Sequence, residues 1–139
     1  MLIDDSFYMK AICDFKKSFL ENFSNEMILK DEYHSFENKG SFRLIYNYIP
    51  LNYNITVENE LRTFTITIED AENAKNSLYR IEKFDNQLCE ENIGKSLGIL
   101  KKVLNKNEFA LYLYINNKLY KKNSYGLKRV KDIKELLNG

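Results

Sequence analysis

Histidine occurs once in this chain, at His34, proline once, at Pro50, cysteine twice, and tryptophan not at all. A single imidazole excludes a two-histidine metal site, and a Ser-His-Asp triad would have to be built on His34. His34 falls in the polar run Asp31-Glu32-Tyr33-His34-Ser35 and reads as a solvated loop residue, because a catalytic base needs positioned partners that this run does not supply. Cys13 and Cys89 lie far apart with no partner motif, so neither a disulfide framework nor a zinc pattern is present. Both read as buried thiols packing as small hydrophobes. The five glycines are scattered, and no phosphate-cradling loop can be built from them. Adjacent carboxylates occur at Asp4-Asp5, Glu69-Asp70 and Glu90-Glu91. Neighbours on a regular element point apart, and the first and third pairs are placed as helix-start charges. The reading is a protein without catalytic residues, metal ligands or a cofactor. No apolar run approaches the length of a spanning helix, and Asp4, Asp5, Asp14 and Glu21 do not suit a secretory leader. The expected location is cytoplasmic, with no membrane partner.

What the chain does contain is a core. Its 139 residues fit one domain, 1–139, and 44% of them are apolar, enough to bury a core without staples. The 14% aromatic content is all Phe and Tyr, which favours a substantial sheet because these rings suit a half-buried pleated surface.

Hydrophobic spacing divides the chain into elements. Tyr8, Ile12, Phe15, Phe19 and Phe23 recur at three and four, predicting an amphipathic helix over 5–22 that Asp5 or Ser6 can cap. Met27 to Leu29 fit a strand or a helix extension, with a strand preferred. From Gly40 the period becomes two: Phe42, Leu44, Tyr46 and Tyr48 share one strand face, and Pro50 ends that strand near Ile49 or puts it at an edge. Tyr53, Ile55 and Val57 suggest another strand. Leu61 to Glu69 set Phe64, Ile66 and Ile68 against Thr63, Thr65 and Thr67. Asp70 to Asn76 fit a helical turn or polar loop, and Leu78 to Phe84 a strand. Ile93, Leu97, Leu100 and Leu104 predict a helix over about 87–105, with Gly94 and Gly98 forming a flat stripe for close packing. Phe109 to Ile115 and Lys118 to Lys122 form a hairpin about Asn116-Asn117, because Asn tolerates positive φ. Tyr125-Gly126 turns again, and Val130, Ile133, Leu136 and Leu137 form a terminal helix. The fold class is therefore α+β, an antiparallel sheet of about five to six strands with N-terminal, central and C-terminal helices packed on it.

Charge is segregated along this near-neutral chain. Residues 1–93 hold 10 basic against 17 acidic residues, and residues 94–139 hold 11 against 3, summing to the net +1. Opposed potentials of this kind steer encounter with a charged partner and fix its register. The acidic series Glu58, Glu60, Glu69, Asp70, Glu72, Glu82 and Asp85 reads as a solvated face or as a patch that occupies a basic groove. The basic series, with Lys118, Lys121, Lys122, Lys128 and Arg129 interleaved with Tyr112, Tyr114, Tyr120 and Tyr125, reads as edge protection or as a surface that tracks a nucleic-acid backbone.

The chain resembles the small immunity proteins of bacterial contact-dependent inhibition and polymorphic toxin systems. The resemblance rests on the α+β pattern, the Asn- and Lys-rich composition and the absent catalytic inventory. It also rests on the run Glu108-Phe109-Ala110-Leu111-Tyr112-Leu113-Tyr114 through Asn117-Lys118-Leu119-Tyr120. It implies stoichiometric neutralisation of a cognate protein toxin, often a nuclease, by direct binding at or near its active site. It carries over no site residue. The alternative from the basic series is a nucleic-acid-binding accessory or regulatory protein.

Overall fold

Tyr8, Ile12, Phe15, Phe19 and Phe23 line one side of the first helix, α1 (Asp5–Phe23), and all five are buried. The computed structural model describes residues 5–35, 40–123 and 125–131. After α1 come β1 (Met27–Ser35), β2 (Ser41–Tyr48), β3 (Tyr53–Glu60), β4 (Thr63–Glu69) and the short β5 (Lys75–Ser77). A one-turn helix, α2 (Leu78–Ile81), and the long α3 (Glu90–Lys106) follow, then β6 (Leu111–Ile115), β7 (Lys118–Asn123) and β8 (Gly126–Arg129). The eight strands form one antiparallel sheet in sequential order, β1 to β8.

Period-two patterning decides which face is buried. Phe42, Leu44, Tyr46 and Tyr48 of β2, Ile55 and Val57 of β3, and Phe64, Ile66 and Ile68 of β4 point to the helical side. There the Phe19 ring stacks on Tyr46 with centroids 3.8 Å apart, and Phe15 meets Phe64 edge-on at 5.1 Å. Such pairs add about 0.5–1.5 kcal/mol to the burial itself. The α3 stripe Ile93, Leu97, Leu100 and Leu104 joins the same core, and α1 packs beside α3. Both long helices therefore lie on one face of the sheet.

Local chemistry sets the boundaries. Pro50 ends β2 in a 3₁₀ turn over Ile49–Leu51, closed by Asn52 at φ 53°, since Pro has no N–H for the ladder. Asn116 and Asn117, at φ 50° and 64°, make the two-residue β6–β7 hairpin turn, whose twist matches the strands. Asn59 joins the ends of β2 and β3: its Oδ1 accepts from the Phe42 N–H at 2.6 Å, and its Nδ2 donates to Gly40 O and Leu61 O.

Several expectations are corrected. The sheet has eight strands rather than five to six, because Lys75–Ser77 and Gly126–Arg129 also pair. Leu78 to Ile81 is a helical turn and not a strand, since Ser77 Oγ accepts from the Arg80 N–H and nucleates it. Leu61 and Arg62 belong to the β3–β4 turn, with Leu61 at φ 54°. Gly94 and Gly98 are exposed, and a Cβ on either would meet nothing within 4 Å, so their stripe packs against no described residue. Cys13 and Cys89 are exposed rather than buried: Cys13 faces away from the stripe beside buried Ile12, and Cys89 caps α3. His34 is exposed but stands on β1, not in a loop. Leu113 is half-buried against the core. The terminal helix expected through Ile133, Leu136 and Leu137 lies outside the described residues, and Val130 instead donates its N–H to Leu119 O.

Candidate binding face

The face of the sheet opposite the helices carries the alternate residues of each strand. Sheet register aligns one of them per strand in a continuous row: Ile28, Asn47, Asn54, Glu69, Lys75, Tyr112, Lys121 and Lys128. The row changes from amide to acid to base as it crosses the sheet. At the amide end, Asn47 Nδ2 donates to Asn54 Oδ1 at 3.2 Å and to Asn52 Oδ1 at 3.1 Å. At the basic end, Lys121 and Lys128 are direct cross-strand neighbours. Like charges placed so are mutually unfavourable unless an external anion compensates them.

The seven acidic candidates do not form one patch. Glu58, Glu60 and Glu69 point outward from β3 and β4 beside Thr63, Thr65 and Thr67. None of the three makes an ion pair among the described residues. Asp70 and Glu72 are taken up by Lys122, at 2.6 and 3.0 Å. Glu82 pairs with Lys102 of α3 at 2.9 Å. Asp85 accepts the Gln87 N–H at 3.1 Å within its own loop. Burial opposes ionisation of Asp70, but the Lys122 ammonium and the N–H groups of Ala74 and Glu72 outweigh it and hold the carboxyl below its usual value. The same hydrogen bonds to Asp70 and Glu72 raise Lys122.

The basic candidates divide likewise. Lys121 and Lys128 share the outer face, whereas Lys122 and Arg129 point to the other side and Lys118 stands at the hairpin end. Lys122 is therefore a structural clamp on the acidic segment and not part of a free basic surface.

Sequence reasoning missed the centre of this face. A short β5 pairs with β6 through Lys75 opposite Tyr112, and α2 turns away immediately after it, leaving a groove of about 600 Å³. Lys75, Ser77, Arg80, Tyr112, Leu113 and Leu119 are among its lining residues. Tyr112, although on the outer face, is only 7% exposed, and its hydroxyl is buried with no hydrogen-bond partner among the described residues. Burial raises its pKa, partly opposed by the charge of Arg80. Ser77 at the start of α2 was the one available signal, since a three-residue strand carries no readable period.

Among the described residues no three His, Cys, Asp or Glu side chains are grouped to hold a metal ion, and no helix is long and apolar enough to cross a membrane. Comparison of the chain with family models, with curated proteins and with solved structures returns no match.

Proposed function

We propose that this chain is a non-catalytic binding protein that docks a protein partner on the outer face of its sheet, in the manner of a cytoplasmic immunity protein neutralising a cognate toxin. The observation that carries the reading is the row from Glu69 through Lys75 and Tyr112 to Lys121 and Lys128, which brings the two charge-segregated parts of the sequence together on one exposed surface. A surface carrying both signs a few strands apart fixes the orientation of a complementary partner as well as attracting it. Exposed Tyr114, beside Tyr112 on the same strand, supplies the kind of large amphipathic ring that anchors interfaces. The acidic surface available to a basic toxin is Glu58, Glu60 and Glu69, because Asp70, Glu72 and Glu82 already have lysine partners. The test is co-expression with the product of the adjacent gene. A stoichiometric complex, and toxicity of that product when this chain is absent, support the reading; harmless expression of the neighbour alone opposes it.

A second reading, binding of nucleic acid, is favoured by Lys75, Lys121 and Lys128 flanking Tyr112 in the same row. Neutralising several phosphates makes log K fall linearly with log salt, by about 0.7–0.9 per phosphate. Failure to retard DNA or RNA at low salt removes this reading.

A further inference from the structure

The groove at the β5–β6 seam follows from the way the chain is built. Ser77 caps α2 and so ends β5 after three residues. Strand β6 continues past Tyr112, and no pairing with β5 is formed by Leu113, Tyr114 or Ile115. A slot is left between Arg80 on α2 and the edge of β6. Its volume, about 600 Å³, falls in the range of small-molecule sites.

The polar groups of the slot are unbalanced. Lys75 and Arg80 make no ion pair among the described residues, and the acidic group at the rim, Glu72, is engaged by Lys122. The Asn76 amide is satisfied, donating to Ala110 O and accepting from the Ser77 N–H. The Tyr112 hydroxyl is buried with no partner among the described residues, and buried polar groups are seldom left unpaired in native proteins. Lys75, Arg80 and Tyr112 thus line one groove with neither cation in an ion pair among the described residues, while Tyr114 and Leu119 supply apolar wall.

We propose that this groove binds a small organic anion, its carboxylate or phosphate held by Lys75 and Arg80 beside the Tyr112 hydroxyl and its apolar body lying against Tyr114 and Leu119. A charge-assisted contact to Arg or Lys is stronger than a neutral one, and the orphaned phenol adds discrimination for an acceptor over a neutral apolar molecule. The groove shares Lys75 and Tyr112 with the proposed docking row, but anion binding needs no protein on the outer face and is tested without one.

The experiment is a titration of the isotope-labelled full chain, at constant ionic strength, with benzoate in one arm and phenyl phosphate in the other, followed by amide NMR shifts. Saturable shifts confined to residues 67, 75–80 and 112–114 are expected, and the arm that saturates at lower concentration identifies the anionic group. The double variant Lys75→Gln/Arg80→Gln removes both cations and should weaken binding about tenfold or more, a lower bound set by the loss of a single charge-assisted contact. Tyr112→Phe should weaken binding several-fold yet leave the thermal midpoint of the free chain unchanged or higher, because it deletes an unsatisfied group. No saturation in either arm, shifts centred elsewhere, or affinity unaffected by the double variant would overturn the proposal. A lowered midpoint of free Tyr112→Phe would overturn the role given to the hydroxyl.

Discussion

Lys122 Nζ lies 2.6 Å from Asp70 Oδ2 and 3.0 Å from Glu72 Oε1, tying the basic strand β7 to the loop that follows the acidic strand β4. The charge segregation of the sequence is thus partly consumed within the fold. Lys102 with Glu82 and Lys10 with Glu90 act in the same sense, linking segments distant in the chain. Without an ion pair among the described residues, the outer face keeps a smaller acidic group on β3 and β4 and a smaller basic group on β5, β7 and β8.

The clamp predicts a pH dependence of stability. Asp70 has a lowered pKa in the folded chain, so its contribution is present above the unfolded value of about 4 and is lost as pH falls through the folded one. Lys122 is raised, so its contribution is complete below about 10.4 and is lost as pH rises through its folded value. Asp70→Asn keeps an acceptor for the loop N–H groups but removes the ion pair, and should cost about 1 kcal/mol near neutral pH. Denaturation midpoints measured from pH 7 to pH 2 should show the gap between variant and parent closing below about pH 4; parallel curves would contradict the clamp.

Burial predicts a graded response along β6. Leu111 is 4% exposed, so Leu111→Ala should cost about 2–5 kcal/mol in urea unfolding. Leu113 is only half-buried, and Leu113→Ala should cost distinctly less. Equal losses at the two positions would mean that the core is packed as tightly around Leu113 as around Leu111.

Gly94 and Gly98 lie in the interior of α3 with open space around them. Replacement by Ala lowers the backbone entropy of the unfolded chain and introduces no contact, so each change should stabilise by about 0.5–1 kcal/mol. Thermal midpoints of Gly94→Ala and Gly98→Ala should both rise. A fall at either would reveal a close neighbour.

These elements also mark what could be read from the chain. The α1 stripe from Tyr8 to Phe23 and the alternation in β2 and β4 were legible because each repeats its period several times, and tertiary packing agrees with it. Leu78, Ile81 and Phe84 repeat at three, a spacing that neither strand nor helix owns over so short a span, and the Ser77 cap decided for a helical turn. Strands β5 and β8 have too few residues to display alternation and exist through pairing with neighbours. The two glycines of α3 misled because a stripe of small residues has the same sequence whether it meets a backbone or water. Of the candidate site, the charged residues of β3, β4, β7 and β8 were legible but Lys75 of β5 was not, and neither were the ion-pair partners: Asp70 and Lys122 are 52 positions apart and meet only once the sheet is assembled.

The two charge groups on the outer face should also be separable. Lys121→Glu/Lys128→Glu should abolish any retention of nucleic acid, whereas Glu58→Lys/Glu60→Lys/Glu69→Lys should leave it intact or strengthen it by removing repulsion from phosphate. The acidic changes should instead slow association with a basic protein partner, with the difference shrinking as salt is added. Gel retardation and stopped-flow association, each across a salt series, check the two halves of this expectation.

The central claim is that the uncovered sheet face docks a protein partner, and its most direct measurement is the affinity of the adjacent gene's product for three forms of this chain. The parent should bind it stoichiometrically. Glu69→Lys/Lys121→Glu, which inverts the charge order across the outer row, should weaken the complex at least about tenfold, as expected for loss of complementary charge at a docking surface. Lys101→Glu/Lys106→Glu, on the exposed side of α3, should bind as the parent does. A complex indifferent to the outer-row changes but broken by those on α3 would contradict the account and place the interface on the helical side.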